Sequence, residues 1–131
     1  MEHQSAIEVL LAQARSSLDR VEPKRIADEV AAGAILIDIR PVEQRQRDGE
    51  LAGAIIIDRN VLEWRLDPTS TDRLPLATDG DIRYVVVCNE GYSSSLAAAT
   101  LRELGLDRAT DLVGGVQALL AYQRETEAGT L

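Results

Sequence analysis

Apolar and polar positions along the chain follow two different periods, and the switches between them mark out its elements. Near the start, Ile7, Leu10, Leu11, Ala14 and Leu18 recur at helical spacing, which predicts an amphipathic helix over 2–18 lying against the body of the protein. Val21 and Glu22 read as a short extended piece. Pro23 then opens a second helix through Ala27, Val30 and Ala31, and Gly33 stops it. Three continuous apolar runs end in polar residues: Ala34 to Ile39, Ala54 to Asp58, and Arg83 to Cys88. Each reads as a strand buried on both faces of a sheet. Helices are expected over 41–47, over 61–66 with Asn60 as cap, and over 93–104 with Ser93 as cap and Gly105 as stop. A fourth strand over 109–113 precedes a final helix, and the Pro/Thr/Ser/Asp/Gly-rich stretch 67–80 reads as a mobile loop.

Strands alternating with helices imply a three-layer α/β domain, with a mainly parallel sheet and helices on both faces. Residues 1–19 read as an N-terminal helical extension whose deletion the domain tolerates, and 20–131 as the domain itself. Ligands of such sheets bind beyond the carboxyl ends of the strands, where Asp38, Arg40, Asp58, Arg59 and Cys88 all fall.

At 131 residues, 45% of them hydrophobic, the chain has enough material for one core without disulfides or metal. The formal net charge of −8, with no basic run to offset it, argues against nucleic acid or an anionic membrane as partner. The apolar runs are too short to span a bilayer. One cysteine allows no internal disulfide, and the first residues lack the basic and apolar regions of a secretory signal, so a cytoplasmic location is expected. With a single cysteine, a single histidine (His3) and no carboxylates at ligand spacing, no metal and no cofactor are expected. Glycine-rich phosphate loops and the Gly-x-Ser-x-Gly elbow are absent.

The chemistry concentrates at Cys88. It ends a Val-rich strand and is followed by Asn89-Glu90-Gly91-Tyr92, then by Ser93 and Ser94 at the start of an Ala-rich helix. If that loop curls with its N–H groups inward, it forms an anion nest completed by the helix N-terminus, which favours thiolate over thiol. A thiolate so placed is able to attack a sulfur donor and hold the product as a persulfide. A small buried hydrophobe at a strand end is the other reading that position alone allows.

The segment from Cys88 to Ala98 resembles the active-site loop and following helix of single-domain rhodaneses: cysteine, glycine three residues on, then hydroxyl residues and alanines. Leu36 to Glu43 is similar to that family's Leu-Ile-Asp-Val-Arg motif with a glutamate three residues on. Gly49 to Ile55 resembles its Gly-His-Ile-Pro-Gly-Ala-Ile turn, and Leu112 to Ala118 its double-glycine motif around Gly114 and Gly115. The resemblance runs from about Val21 to Tyr122. It implies a rhodanese-like fold, Cys88 as persulfide-forming nucleophile, and Asn89, Glu90, Gly91, Tyr92, Ser93 and Ser94 as the cradle. The implied partners are a small sulfur donor, such as thiosulfate or a mercapto acid, and an external thiol or protein acceptor.

Asp38, Arg40 and Glu43 read as structural, with Arg40 pairing to Glu43 along the following helix, and Gly114 and Gly115 also read as framework. The loop carries no cation and includes Glu90, unlike thiosulfate sulfurtransferases. Arg59 is therefore a candidate for donor binding, the alternative being that it is solvated or paired at the surface with Asp58, Glu63 or Asp67. Cys-x5-Arg phosphatases share the fold, but here the sixth residue after Cys88 is Ser94, so the phosphate clamp is missing. A non-turnover binding or regulatory module and a redox or reactive-sulfur sensor stand as alternatives to sulfur transfer.

Overall fold

The computed structural model describes residues 3–129. Its sheet is built on the two most deeply buried runs. β1 (Ile35–Asp38) and β3 (Tyr84–Val87) pair in parallel, with Leu36 opposite Val85 and Asp38 opposite Val87. β2 (Ile55–Ile56) adds to the free side of β1 and β4 (Thr110–Asp111) to the free side of β3, giving the all-parallel order β2-β1-β3-β4. Beyond β4, Val21 bridges to Leu112.

Alternation along the two central strands divides the core. Ile37, Tyr84, Val86 and Cys88 face one way, where they meet Leu62 and Leu66 of α4 (Leu62–Leu66) and Ala97, Ala98 and Leu101 of α5 (Ser93–Glu103). Leu36, Val85 and Val87 face the other way, against Val116 and Leu119 of α6 (Gly115–Gly129), with Ile26 at the start of α2 (Ile26–Ala31) packed alongside. The period-two alternation thus serves two apolar layers, as a parallel sheet covered on both faces requires. Each fully buried Leu, Ile or Val in these layers contributes about 1.5–3 kcal/mol. α3 (Val42–Asp48) connects β1 to β2, and α1 (Ala6–Ser16) packs on α5, its N-terminus capped by the Ser5 hydroxyl accepting Glu8 N–H at 3.2 Å. Among the described residues no helix is long and apolar enough to cross a membrane.

Local differences from the sequence reading have physical causes. Asn60 is not the cap before α4: the Asp58 carboxylate accepts Asn60 N–H at 2.7 Å and caps a tight turn over Arg59–Val61, so α4 begins at Leu62 with Val61 at its cap. That early turn also shortens β2. Ser93 is already the first residue of α5, and Tyr92 stands at the cap with no side-chain bond. The 67–80 loop is tied down: Leu74 N–H donates to Arg65 C=O at 2.8 Å, Ala77 is fully buried, and the Arg73 guanidinium donates to three loop carbonyls.

Candidate functional site

Because β3 stops at Val87, Cys88 is the first residue past the carboxyl edge of the central strand, on the α5 face. The loop after it is held from below by the first turn of α6. Val116 N–H donates to Cys88 C=O at 2.9 Å and Gln117 N–H to Asn89 C=O at 3.1 Å, so the open end of one helix is satisfied by the loop itself. This approach leaves no room for side chains at two glycines. A Cβ on Gly115 (φ +62°) would stand 2.4 Å from Cys88 O, and one on Gly91 (φ +86°) would stand 2.6 Å from Gly114 N. The double glycine is the surface on which the cysteine loop rests.

Held this way, the loop curls around the sulfur. Cys88 Sγ accepts N–H bonds from Gly91 at 3.1 Å and from Ser94 at 3.4 Å, and the residue is only 6% exposed. Burial pushes the thiol up, but the Ser94 and Ser93 hydroxyls and the Ser94 and Gly91 N–H groups pull it down and prevail, so it lies below its ordinary value of 9.0. The share that belongs to Ser94 depends on where its one hydroxyl proton points.

Beside the sulfur lies an open hollow of about 270 Å³, lined by Ile39, Arg40, Pro41, Gln44, Asn89, Glu90, Tyr92 and Ser93 as well as Cys88. A larger groove of about 510 Å³ runs between α1 and α5, but it holds no thiol or imidazole. Chemistry, not size, selects the smaller hollow. Asn89 is fixed by its Oδ1, which accepts from Gln117 Nε2 at 3.0 Å and Arg47 Nη2 at 3.4 Å, while Glu90 and Tyr92 are exposed.

Asp38 and Arg40 form a fully buried pair, Nη2 to Oδ2 at 2.8 Å, and Arg40 also donates to Gly49 C=O at 3.0 Å. This corrects the expected Arg40–Glu43 pairing: the carboxylate two residues back lies inside the fold with the guanidinium, whereas Glu43 is exposed on α3. Such a pair ties the end of β1 to the following turn, and losing one partner costs about 3–5 kcal/mol. Arg59 lies apart from the hollow; its Nη1 donates to both oxygens of Glu63 at 2.9 Å one helical turn on.

Three residues absent from the sequence reading converge behind the loop. Asp111, fully buried at the end of β4, accepts Arg20 Nε at 2.9 Å, Arg20 Nη2 at 3.2 Å, and the hydroxyls of Ser94 at 2.7 Å and Ser95 at 2.8 Å. Arg20 Nη2 also donates to Gly91 C=O at 3.0 Å. Arg15 of α1 donates to the same carbonyl at 2.7 Å and to Ser95 Oγ at 3.0 Å, with its guanidinium 5.5 Å from the Tyr92 ring centre. An acid at the polar end of a strand was the available signal for Asp111. The arginines gave none, because their partners lie more than 70 residues away in the chain.

Comparison with known proteins gives this arrangement its family. The Rhodanese-like domain model matches residues 22–122. The chain belongs to that family. Two Zea mays proteins, adenylyltransferase and sulfurtransferase MOCS3-1 and MOCS3-2, are each 34% identical over 97 residues, 74% of this chain. The chain spans about a fifth of the length of these curated relatives, 20% of the first and 19% of the second. Among solved structures, a protein of unknown function from Rhodopseudomonas palustris CGA009, described as a possible tyrosine phosphatase, is 27% identical with a TM-score of 0.81, over 94% of this chain and 96% of that one. That overlap is longer than the family match, so it includes part of the segment before residue 22. The human single-domain sulfurtransferase TSTD1 shares the fold at 23% identity and a TM-score of 0.64, over 78% of this chain and 95% of that one. This rhodanese-like domain therefore has distant sulfurtransferase relatives.

Proposed function

We propose that this rhodanese-like domain is a sulfurtransferase in which Cys88 carries a sulfane sulfur from a small donor to an external acceptor. The observation that carries this reading is the seat of the sulfur: a lone thiol past a strand end, facing an open hollow, with two backbone N–H groups on it. A thiolate there attacks the donor's outer sulfur. An S–S bond to Cys88 Sγ forms as the donor's own bond to that sulfur breaks, and the electron pair leaves with the donor. Thiosulfate then departs as sulfite, and a mercapto acid departs as the keto acid after its carbon takes a proton. An acceptor thiolate or cyanide attacks the outer sulfur of the persulfide and returns the electron pair to Cys88. Cys88 is the one cysteine of these 131 residues, so an acceptor thiol comes from outside this domain.

Charge favours one donor class. The one guanidinium lining the hollow, Arg40, is already neutralised by Asp38, and Glu90 stands exposed at the rim. A dianion such as thiosulfate is the poorer donor, and a singly charged mercapto acid the better one. Cys-x5-Arg phosphate chemistry does not suit the site, since Ser94 stands where the phosphate-clamping arginine would be.

The test is to incubate the protein with thiosulfate or 3-mercaptopyruvate plus cyanide, following intact mass and the release of sulfite, pyruvate and thiocyanate, with Cys88→Ser as control. Gain of one sulfur with product release over many turnovers is the expected result, larger for the mercapto acid. A single persulfide or sulfenic mass without turnover would make the domain a sensor, and no mass gain would make it a binding module.

A further inference from the structure

The Asp111 cluster lies outside the hollow, yet it bears directly on the sulfur. A carboxylate paired with arginine only accepts hydrogen bonds, so the Ser94 and Ser95 hydroxyls at 2.7 and 2.8 Å must be the donors. Ser94 has one hydroxyl proton. The residue lies next to Cys88, with its N–H on Sγ and its hydroxyl within reach of the thiol, but the proton given to Asp111 is not available to the sulfur. Ser95 is committed in the same way, with Arg15 Nε donating into its oxygen.

We propose that Asp111 is a positioning residue for Cys88, supported by Arg20 and Arg15: it withholds the Ser94 proton, so the sulfur meets N–H groups and an oxygen lone pair. The two arginines add the second half of the device. Both donate to Gly91 C=O, and Gly91 N–H is one of the two backbone groups on the sulfur. Carboxylate and guanidinium groups together therefore fix both walls of the cradle, Gly91 on one side and Ser94 on the other.

The consequence is a balance. Backbone N–H groups favour the thiolate, while the Ser94 lone pair favours the S–H form and opposes the anion. The charges facing Cys88 and its loop from each neighbour are Arg40 (itself on Asp38) after β1, the Arg47–Asp48 pair at the end of α3 beside Asn89, Glu90 on its own loop, Asp111 behind Ser94, and Arg15 and Arg20 behind Gly91; α5 and the first turn of α6 present none. Removing the Asp111 charge would release the Ser94 proton to the sulfur, withdraw a nearby anion and leave Arg20 unpaired. All three effects favour thiolate. Nucleophilicity falls as the pKa of a thiol falls, so in withholding the Ser94 proton Asp111 trades some thiolate for a more nucleophilic sulfur.

This inference rests on Cys88 being the nucleophile, but its test needs no sulfur donor. In the full chain, the rate of Cys88 alkylation by iodoacetamide is followed against pH for wild type, Ser94→Ala, Asp111→Asn and the double variant. The expected midpoint for Ser94→Ala is unchanged or lower, for Asp111→Asn lower by about one pH unit, and for the double variant lower by less. A raised midpoint in Ser94→Ala would mean that the proton already serves the sulfur, and would overturn the proposal. So would an unchanged or raised midpoint in Asp111→Asn. If Asp111→Asn fails to fold, Ser94→Ala decides alone. These midpoints behave as stated whether or not sulfite or pyruvate is released, so failure of the sulfur-transfer reading is seen separately.

Discussion

At Cys88, burial and hydrogen bonding oppose one another, and the direction in which they settle fixes a pH dependence. Burial raises the thiol, the Ser93 hydroxyl and the Ser94 and Gly91 N–H donors lower it, and the folded value lies below the ordinary 9.0. An unfolded chain thus binds more protons than the native one between the folded value and 9.0, so stability rises with pH through that window. The contribution is complete above 9.0 and is lost as pH falls through the folded value. Tyr84, pushed up to about 12 chiefly by burial, works in the opposite sense above its ordinary 10.0. Chemical denaturation of wild type and Cys88→Ser under reducing conditions, from neutral pH to about pH 10, isolates the cysteine because the Tyr84 effect cancels between them. The stability difference should grow in favour of wild type as pH rises. A flat difference would mean that the donors only offset the burial of the sulfur.

Among the elements, those whose instructions are local were legible and those set by distant partners were not. The apolar runs of β1 and β3 announced themselves, as did the Cys88 to Ser94 loop, whose glycine and serines lie within a few residues of the thiol. β2 and β4 came out shorter than their apolar runs because Asp58 draws the chain into a turn at one edge and the double glycine begins another. α1 is the larger lesson. Its periodicity reads as an apolar face on the body of the protein, and on that ground the helix looked dispensable. What it also brings is Arg15, which donates to Gly91 C=O and Ser95 Oγ. Hydrogen bonds from a charged group are worth about 1.5–3 kcal/mol when removed, so Arg15→Ala should cost about 1–3 kcal/mol in urea denaturation. Gln13→Ala, at an exposed position on the same helix, should cost less than about 0.5 kcal/mol. Equal costs would make α1 an appended helix with no hold on the cysteine loop.

Over the whole molecule, 22 acidic residues against 14 basic ones give the net charge of −8, and the pairing pattern decides how much of that the hollow feels. Arg20, Arg40, Arg45, Arg47, Arg59, Arg83 and Arg102 are each bound to a carboxylate, so half of the cations that could soften the field are spent. Buried networks such as Asp38–Arg40 and Asp111–Arg20 stiffen the carboxyl edge of the sheet, and the further cation near Cys88, Arg15, is turned onto Gly91 C=O, Ser95 Oγ and the Tyr92 ring behind the loop, away from the hollow. Glu90 at the rim then sets the sign of the field an incoming reagent meets. Two alkylating agents of similar size separate this field from the reactivity of the sulfur: iodoacetamide is neutral and iodoacetate is an anion. Salt screens exposed charges over a Debye length of about 10 Å at 0.1 M, so the iodoacetate rate relative to the iodoacetamide rate should climb as salt is added. A ratio that falls with salt would mean that the field at the hollow is positive. It would also return thiosulfate to the front of the candidate donors, because a dianion would then be drawn in where the pairing of Arg40 and the exposure of Glu90 argue that it is repelled.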